Sequence, residues 1–335
     1  MAGIFVPARR HFPYRWAGPR SPSSLKRYIQ LHFLVLLLAA TALLGRGISL
    51  SSLGVVTWRT ALACLGAALW TGFLRPRLTK GEVRPAPLWP GAGQALRLIG
   101  VGAVIGIHWL CFFGSVKLSN ISICLLALTT MSLFTAFTEP FFEKRRVRPF
   151  EVLLGILIVC GIGIAAKDFN RHDTLGLIVG LGAAFLAAIF PVLNRRIVQA
   201  GGDPQVMVAW EMLGACAVTL IVLPFFSTYG ELFAWKGLDW LWLLLLAWVC
   251  TVFAHGFHIH LLRFFSAYTL NLAINFEPIY GVIAAALCFS EYKDLTGAFY
   301  AGMLTTIAAN LLHPVIIRWN QRRKGLVLES DPAEP

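Results

Sequence analysis

Between about Tyr28 and Ile317 the chain breaks into ten apolar runs, each close to the length a helix needs to cross a lipid bilayer. A hydrocarbon core about 30 Å thick takes roughly 20 helical residues at 1.5 Å each. The runs fall at 28–47, 52–74, 95–116, 119–142, 149–166, 173–193, 204–226, 238–261, 265–289 and 295–317, with short loops between them. No water satisfies backbone groups inside lipid, so such runs fold as helices or as closed barrels. Barrel strands alternate apolar and polar residues, and these runs do not, which leaves helices. A hydrophobic content of 57% over 335 residues also excludes an ordinary soluble domain. The expected fold is an all-α integral membrane protein with ten transmembrane helices.

Charge gives the ladder an orientation. The net charge of +13 invites a nucleic-acid reading, but position decides against it. Arg9, Arg10, Arg15, Arg20, Lys26 and Arg27 precede the first run, and Arg75, Arg77, Lys80 and Arg84 follow the second. Lys144, Arg145, Arg146 and Arg148 follow the fourth, Arg195 and Arg196 the sixth, and Arg318, Arg322, Arg323 and Lys324 the tenth. The other side holds only Arg46, Lys117, Lys167, Arg171, Lys236 and Lys293. The positive-inside rule therefore places both termini in the cytoplasm. Ala40-Thr41-Ala42 resembles a signal-cleavage pattern, but removing the first run would leave an odd number of spans against the charge pattern, so it stays as a span. The expected home is the plasma (cell inner) membrane. Cys64, Cys111, Cys124, Cys160, Cys216, Cys250 and Cys288 all fall inside runs without C-x-x-C spacing and read as packing residues.

Comparison of the chain with itself exposes a repeat. His108 and His255, Ser119 and Ser266, and Gly155 and Gly302 are each 147 residues apart, and Glu143 and Glu291 nearly so. Thr57-Trp58-Arg59 likewise lies opposite Ala209-Trp210-Glu211. An odd number of spans per copy turns the second copy upside down, which predicts a five-plus-five inverted repeat. The expected organisation is a basic cytoplasmic segment at 1–27, repeats at 28–167 and 168–317, and a polar cytoplasmic tail at 318–335. Two such bundles can rock about a central cavity and expose it to each side in turn.

The chain resembles the drug/metabolite transporter superfamily, specifically its EamA-like ten-helix permeases. The resemblance is carried by Trp58-Arg59, by GIHWLCFFGSVKLSNISICLL at 106–126, by Glu139-Pro140, by FPVLNRR at 190–196, and by NLAINFEPIYG at 271–281 followed by Glu291. It implies a secondary transporter without an ATP-binding domain that moves a small metabolite, often outward, and it implies no particular substrate. One departure stands out: Thr130 or Met131 occupies the place of Pro278, so a helix break is expected clearly only in the second half.

An ionisable side chain at the bilayer centre costs on the order of 3 kcal/mol, so each one needs a reason. Glu277 precedes Pro278, whose missing donor frees a carbonyl, and the two together suit a cation, a substrate amine or a coupling proton. A carboxyl bonded to a neighbouring helix is the plainer alternative. Asn271 and Asn275 share a face, with Asn271 expected to glue helices together and Asn275 to line the cavity. His108, with Trp109 beside it as a stacking surface, suits substrate contact or proton relay, or else a buried interhelical hydrogen bond. His255 and His258 form H-x-x-H, a weak metal pattern without nearby Cys or carboxylates, and His258 and His260 lie close enough to the cytoplasmic surface to be hydrated. Arg59 and Glu211 are not expected to pair: either each guards one mouth of the cavity, or Arg59 snorkels and Glu211 caps a local helix end. Pro140 marks a second candidate helix break. Ser132, Thr135 and Glu139 line one face of the fourth run. Glu143 and Glu291 read as structural groups neutralised by basic loop residues. Gly176-x-x-x-Gly180 suits close helix packing within the bundle.

Together these point to a secondary-active permease, an exporter, of a small polar or amphipathic metabolite, with Glu277 or His108 as the coupling candidate. The expected partners are that solute and membrane lipid, with no nucleic acid, cofactor or metal, in a monomer or homodimer. The competing classes are a lipid flippase or scramblase and a His-based haem or metal protein. Walker A, G-x-S-x-G and H-E-x-x-H sequences are absent, so no enzyme is expected.

Overall fold

The computed structural model describes residues 24–78, 86–143, 146–147, 149–226 and 228–323, and every regular element among them is helical. Among the described residues nine helices are long and apolar enough to cross a membrane: Lys26–Gly47, Ser52–Arg77, Ala92–Leu118, Ile121–Phe142, Pro149–Asp168, Arg171–Gln199, Pro204–Phe226, Asp239–Leu261 and Ala267–Phe289. A tenth helix, Gly297–Arg323, contains a shorter apolar stretch, Gly297–Leu312. We number these spans one to ten. The chain is an all-helical, multi-pass membrane protein. All the basic residues before Lys26, and Lys80, Arg84, Lys144, Arg145, Arg148 and Lys324, lie outside the described residues.

Three spans are interrupted. The fourth divides into Ile121–Leu128 and Met131–Glu143 at Thr129–Thr130, although no proline is present there. The two threonine hydroxyls donate to the carbonyls of Leu126 and Ala127 at 2.6 and 2.7 Å, and their own N–H groups turn to the same carbonyls. This tight turn satisfies locally the groups an α-helix would have paired one residue further on. A break expected clearly only at Pro278 is therefore present in both halves. Pro140, by contrast, breaks nothing: helix Met131–Glu143 continues through it. The ninth span divides into Ala267–Ile274 and Glu277–Phe289, with Pro278 in the first turn of the second piece, a position where its missing N–H costs nothing. The sixth divides into Arg171–Ala187 and Phe190–Gln199, again with a proline, Pro191, just after the break.

The broken fourth and ninth spans clasp each other at both ends. Glu291 accepts hydrogen bonds from the N–H groups of Ile121 and Ser122 at 3.0 and 3.1 Å and from the Ser122 hydroxyl at 2.7 Å. It reaches them because Ser290 takes a left-handed conformation, φ 56°, that turns the chain sharply at the helix end. A carboxylate on free N–H groups at a helix start is favourable both as a cap and against the helix dipole. Backbone N–H groups, rather than the expected basic loop residues, are thus its partners. At the other end Glu139 accepts from the N–H of Tyr268, in the first turn of Ala267–Ile274, at 3.5 Å. The side chain of Glu143, the sequence counterpart of Glu291, lies outside the described residues.

Close packing draws the spans together through small residues. Spans five and ten cross where a methyl group on Gly302 would strike the carbonyl of Gly161. Gly176 and Gly180 face the third and fourth spans inside the bundle, where Ser115 donates to the Gly176 carbonyl at 2.7 Å. The main packing pairs are spans three and seven, two and eight, two and seven, five and ten, three and six, four and six, one and nine, and four and nine. All seven cysteines are free.

Candidate functional site

The breaks in spans four, six and nine meet at one cavity of about 690 Å³, its open mouth included. The space it encloses in this conformation is about 80 Å³. Spans one, two, three, four, six, eight and nine all contribute to its wall. Apolar lining comes from Leu38, Leu128, Met131, Ala187 and Ile274, and aromatic lining from Trp109, Phe112 and Phe190. Polar lining comes from Thr41, Arg59, His108, His255, His258, Asn271 and Glu277.

Arg59 is the most constrained of these. Only 2% of it is exposed, and it is the largest fully buried side chain. Span eight opens into a π-turn at Trp248–Phe253, and Arg59 uses the groups presented there. Its Nε donates to the Thr251 hydroxyl at 2.7 Å and its Nη2 to the Cys250 carbonyl at 3.2 Å. Thr251 in turn donates to the Leu246 carbonyl at 2.8 Å, so its lone pairs face the guanidinium. The guanidinium lies 3.8 Å from the centre of the Trp109 ring, a cation–π contact made strong by desolvation. Its Nη1 has no hydrogen-bond partner, and no described carboxylate pairs with it. An uncompensated buried charge of this kind costs several kcal/mol. Arg59 thus belongs to the central cavity rather than to a mouth.

Glu211 sits behind the wall. It is fully buried, and its Oε2 lies 2.6 Å from His255 Nε2 and 3.3 Å from Asn194 Nδ2, which donates to it. Arg59 and Glu211, equivalent in the sequence comparison, both reach span eight from different sides without pairing. His255 faces the cavity with Glu211 at its back, so one residue reports to the solute space and the other to the helix bundle.

His108 Nδ1 lies 2.8 Å from the Ala183 carbonyl, which holds the ring against span six. Phe190 stands among three imidazoles, with ring centres 5.5, 6.1 and 6.0 Å from His108, His255 and His258. His258 is buried on the cavity wall rather than placed at the protein surface, and its Nε2 has no partner among the described residues. His260 instead stacks on Phe257. Among the described residues no group of three His, Cys, Asp or Glu side chains could hold a metal ion.

Asn271 joins helices, as expected, and also lines the cavity, whereas Asn275 does not line it. Asn271 lines the cavity, and its Nδ2 donates to the Thr135 hydroxyl at 2.9 Å and toward the Ala187 carbonyl at 3.4 Å. Pro191 explains that second partner, because a residue with an N–H at position 191 would have bonded Ala187. Asn275 is buried outside the lining. Ser132 donates to Asn310 of span ten at 2.6 Å, so with Thr135 and Glu139 it serves contacts between spans.

Glu277 lines the cavity at the start of its half-helix, 5% exposed and without a hydrogen bond among the described residues. No ion pair joins it to Arg59. The aromatic contacts Phe112 and Phe190 and the hydroxyl of Thr41 carried no sequence signal, since such residues are common throughout the spans. Asn271 had one, its place on a helix with Glu277.

Comparison with known proteins agrees with this architecture. Residues 174–312 match the model of the EamA-like transporter family. A solved structure titled only as the crystal structure of a protein is 15% identical and has a TM-score of 0.61. The alignment covers 88% of this chain and 99% of that one, and the likeness is one of fold. No curated protein matches the chain.

Proposed function

From the EamA-like transporter segment at 174–312, we propose that the chain is a secondary-active carrier that moves a small polar or amphipathic metabolite by alternating access. The observation that carries this reading is one cavity, bounded by three broken helices, that gathers Arg59, His108, Asn271 and Glu277 from three different spans. Ionisable groups kept in a membrane interior and turned toward a shared cavity are what a solute pathway requires. The direction of transport is outward, and Glu277 and His108 are the residues we assign to coupling.

Several pairings support an inverted five-plus-five repeat, with halves at 28–167 and 168–317 and both termini cytoplasmic. The contact of spans three and seven has its image in eight and two, and that of four and six in nine and one. Trp58 donates to the Leu232 carbonyl at 2.7 Å, and its counterpart Trp210 donates to the Leu88 carbonyl at 2.8 Å. Each tryptophan thereby ties its own half to a loop of the other. The carboxylate caps of spans four and nine are a third such pair.

Comparing solutes inside and outside cells with and without the protein identifies the cargo, whose flux is then measured in proteoliposomes. Glu277→Gln and His108→Ala should each reduce flux while leaving membrane insertion intact. Unchanged flux in both variants would place the solute site elsewhere.

A further inference from the structure

The cavity wall carries two ionisable side chains, Arg59 and Glu277, that have no ion-pair partner among the described residues. Arg59 is held flat by Trp109 and fixed along one side by Thr251 and the Cys250 carbonyl, which leaves Nη1 as its remaining edge. Glu277 has no hydrogen bond and no ion pair among the described residues. The two are not within 4.0 Å of each other, so neither serves the other. A guanidinium edge fits a planar anion such as a carboxylate, and a carboxylate fits an ammonium. A ligand with one charge would match one group and strand the other in a low-dielectric space, and a neutral ligand would strand both. A zwitterion matches both and adds no net charge. Apart from three imidazoles, Thr41 and Asn271, the rest of the wall is apolar and aromatic, which calls for an apolar body on the ligand.

We propose that the cavity takes an amphipathic organic zwitterion, its carboxylate on the free Nη1 of Arg59, its ammonium on Glu277, and its apolar part against Trp109, Phe112 and Phe190. This rests on the carrier reading above and names the chemical class of the solute. Asn271, whose Oδ1 is buried without a partner, is an additional acceptor beside the ammonium position.

The test uses the full-length protein in detergent and two matched probe sets. One set is leucine, 4-methylpentanoate and 3-methylbutylamine; the other is 6-aminohexanoate, hexanoate and hexylamine, whose charges lie further apart. Binding is read by isothermal titration. At least one zwitterion should bind about tenfold or more tightly than both of its singly charged relatives, the scale of one matched buried charge. In Arg59→Gln the preference for zwitterion over amine should disappear, and in Glu277→Gln the preference over carboxylate. If a singly charged probe binds as tightly as its zwitterion in both sets, or if no probe binds, the proposal is overturned, and this comparison on the unaltered protein holds even where a variant fails to fold. Flux separates the two readings. A zwitterion that binds but does not cross a liposome membrane removes the carrier reading and leaves the charge assignment. A neutral sugar carried at a rate indifferent to Arg59→Gln does the reverse.

Discussion

His255 Nε2 lies 2.6 Å from Glu211 Oε2, a buried contact between a cavity-lining imidazole and a carboxyl group the cavity never reaches. The two side chains come from spans eight and seven, so the bond ties the solute space to a helix contact. Removing one partner leaves the other buried and unmatched, at a cost of about 1–3 kcal/mol. Glu211→Ala and His255→Ala should therefore each lower the thermal unfolding midpoint, and the double variant should lose much less than their sum. Additive losses in a double-mutant cycle would mean the pair does not act as a unit.

Glu291 is the cap of the half-helix that begins at Ile121. Glu291→Ala should destabilise the protein by about 1–2 kcal/mol, as lost caps do. Glu291→Gln, which keeps one acceptor, should recover part of that. Equal unfolding temperatures for all three proteins would remove the capping role.

The crossing of spans five and ten rests on Gly161 and Gly302, whose backbones touch. Gly302→Val places a branched side chain on a carbonyl that cannot move aside, so it should destabilise by about 1–3 kcal/mol or prevent folding. Gly163→Val, two residues from Gly161 and with open space beside it, serves as the control. Comparable yield and melting temperature for both variants would refute the close approach.

Arg75 holds Asp203 through two hydrogen bonds of 2.8 and 2.9 Å at the loop before span seven. Burial pushes the Asp203 carboxyl upward, but the Arg75 hydrogen bonds and charge, with the N–H groups of Val206 and Gln205, outweigh it and hold the carboxyl below its ordinary range. A carboxyl depressed on folding adds stability above its unfolded value near 4, and that stability fades as pH falls through the lower folded value. The partly exposed setting limits the effect to about 1 kcal/mol. Asp203→Asn should thus destabilise at pH 6 and match the unaltered protein near pH 3. A pH-independent difference would contradict the ion pair.

Much of this was legible in the chain. Arg59, His108, His255 and Glu277 stand out because an ionisable group inside an apolar run is costly and rare, and all four line one cavity. The break at Thr129–Thr130 was hidden, because threonines in spans usually bond back to their own helix without interrupting it, and only the tertiary setting shows the turn. The anchoring of Arg59 was hidden for a related reason. Its partner is a carbonyl exposed by a π-turn, and no residue type in Trp248–Phe253 announces one. Spacing also paired Glu143 with Glu291, whereas the described cap at the other end comes from Glu139, one helical turn earlier.

The central claim is that one cavity is reached from each side of the membrane in turn. Ile274, on its wall, offers a direct probe. With the seven native cysteines replaced and Ile274→Cys introduced, an impermeant thiol reagent is applied to right-side-out and to inside-out vesicles. Alternating access requires modification from both faces. Modification from one face only, or from neither, would contradict it.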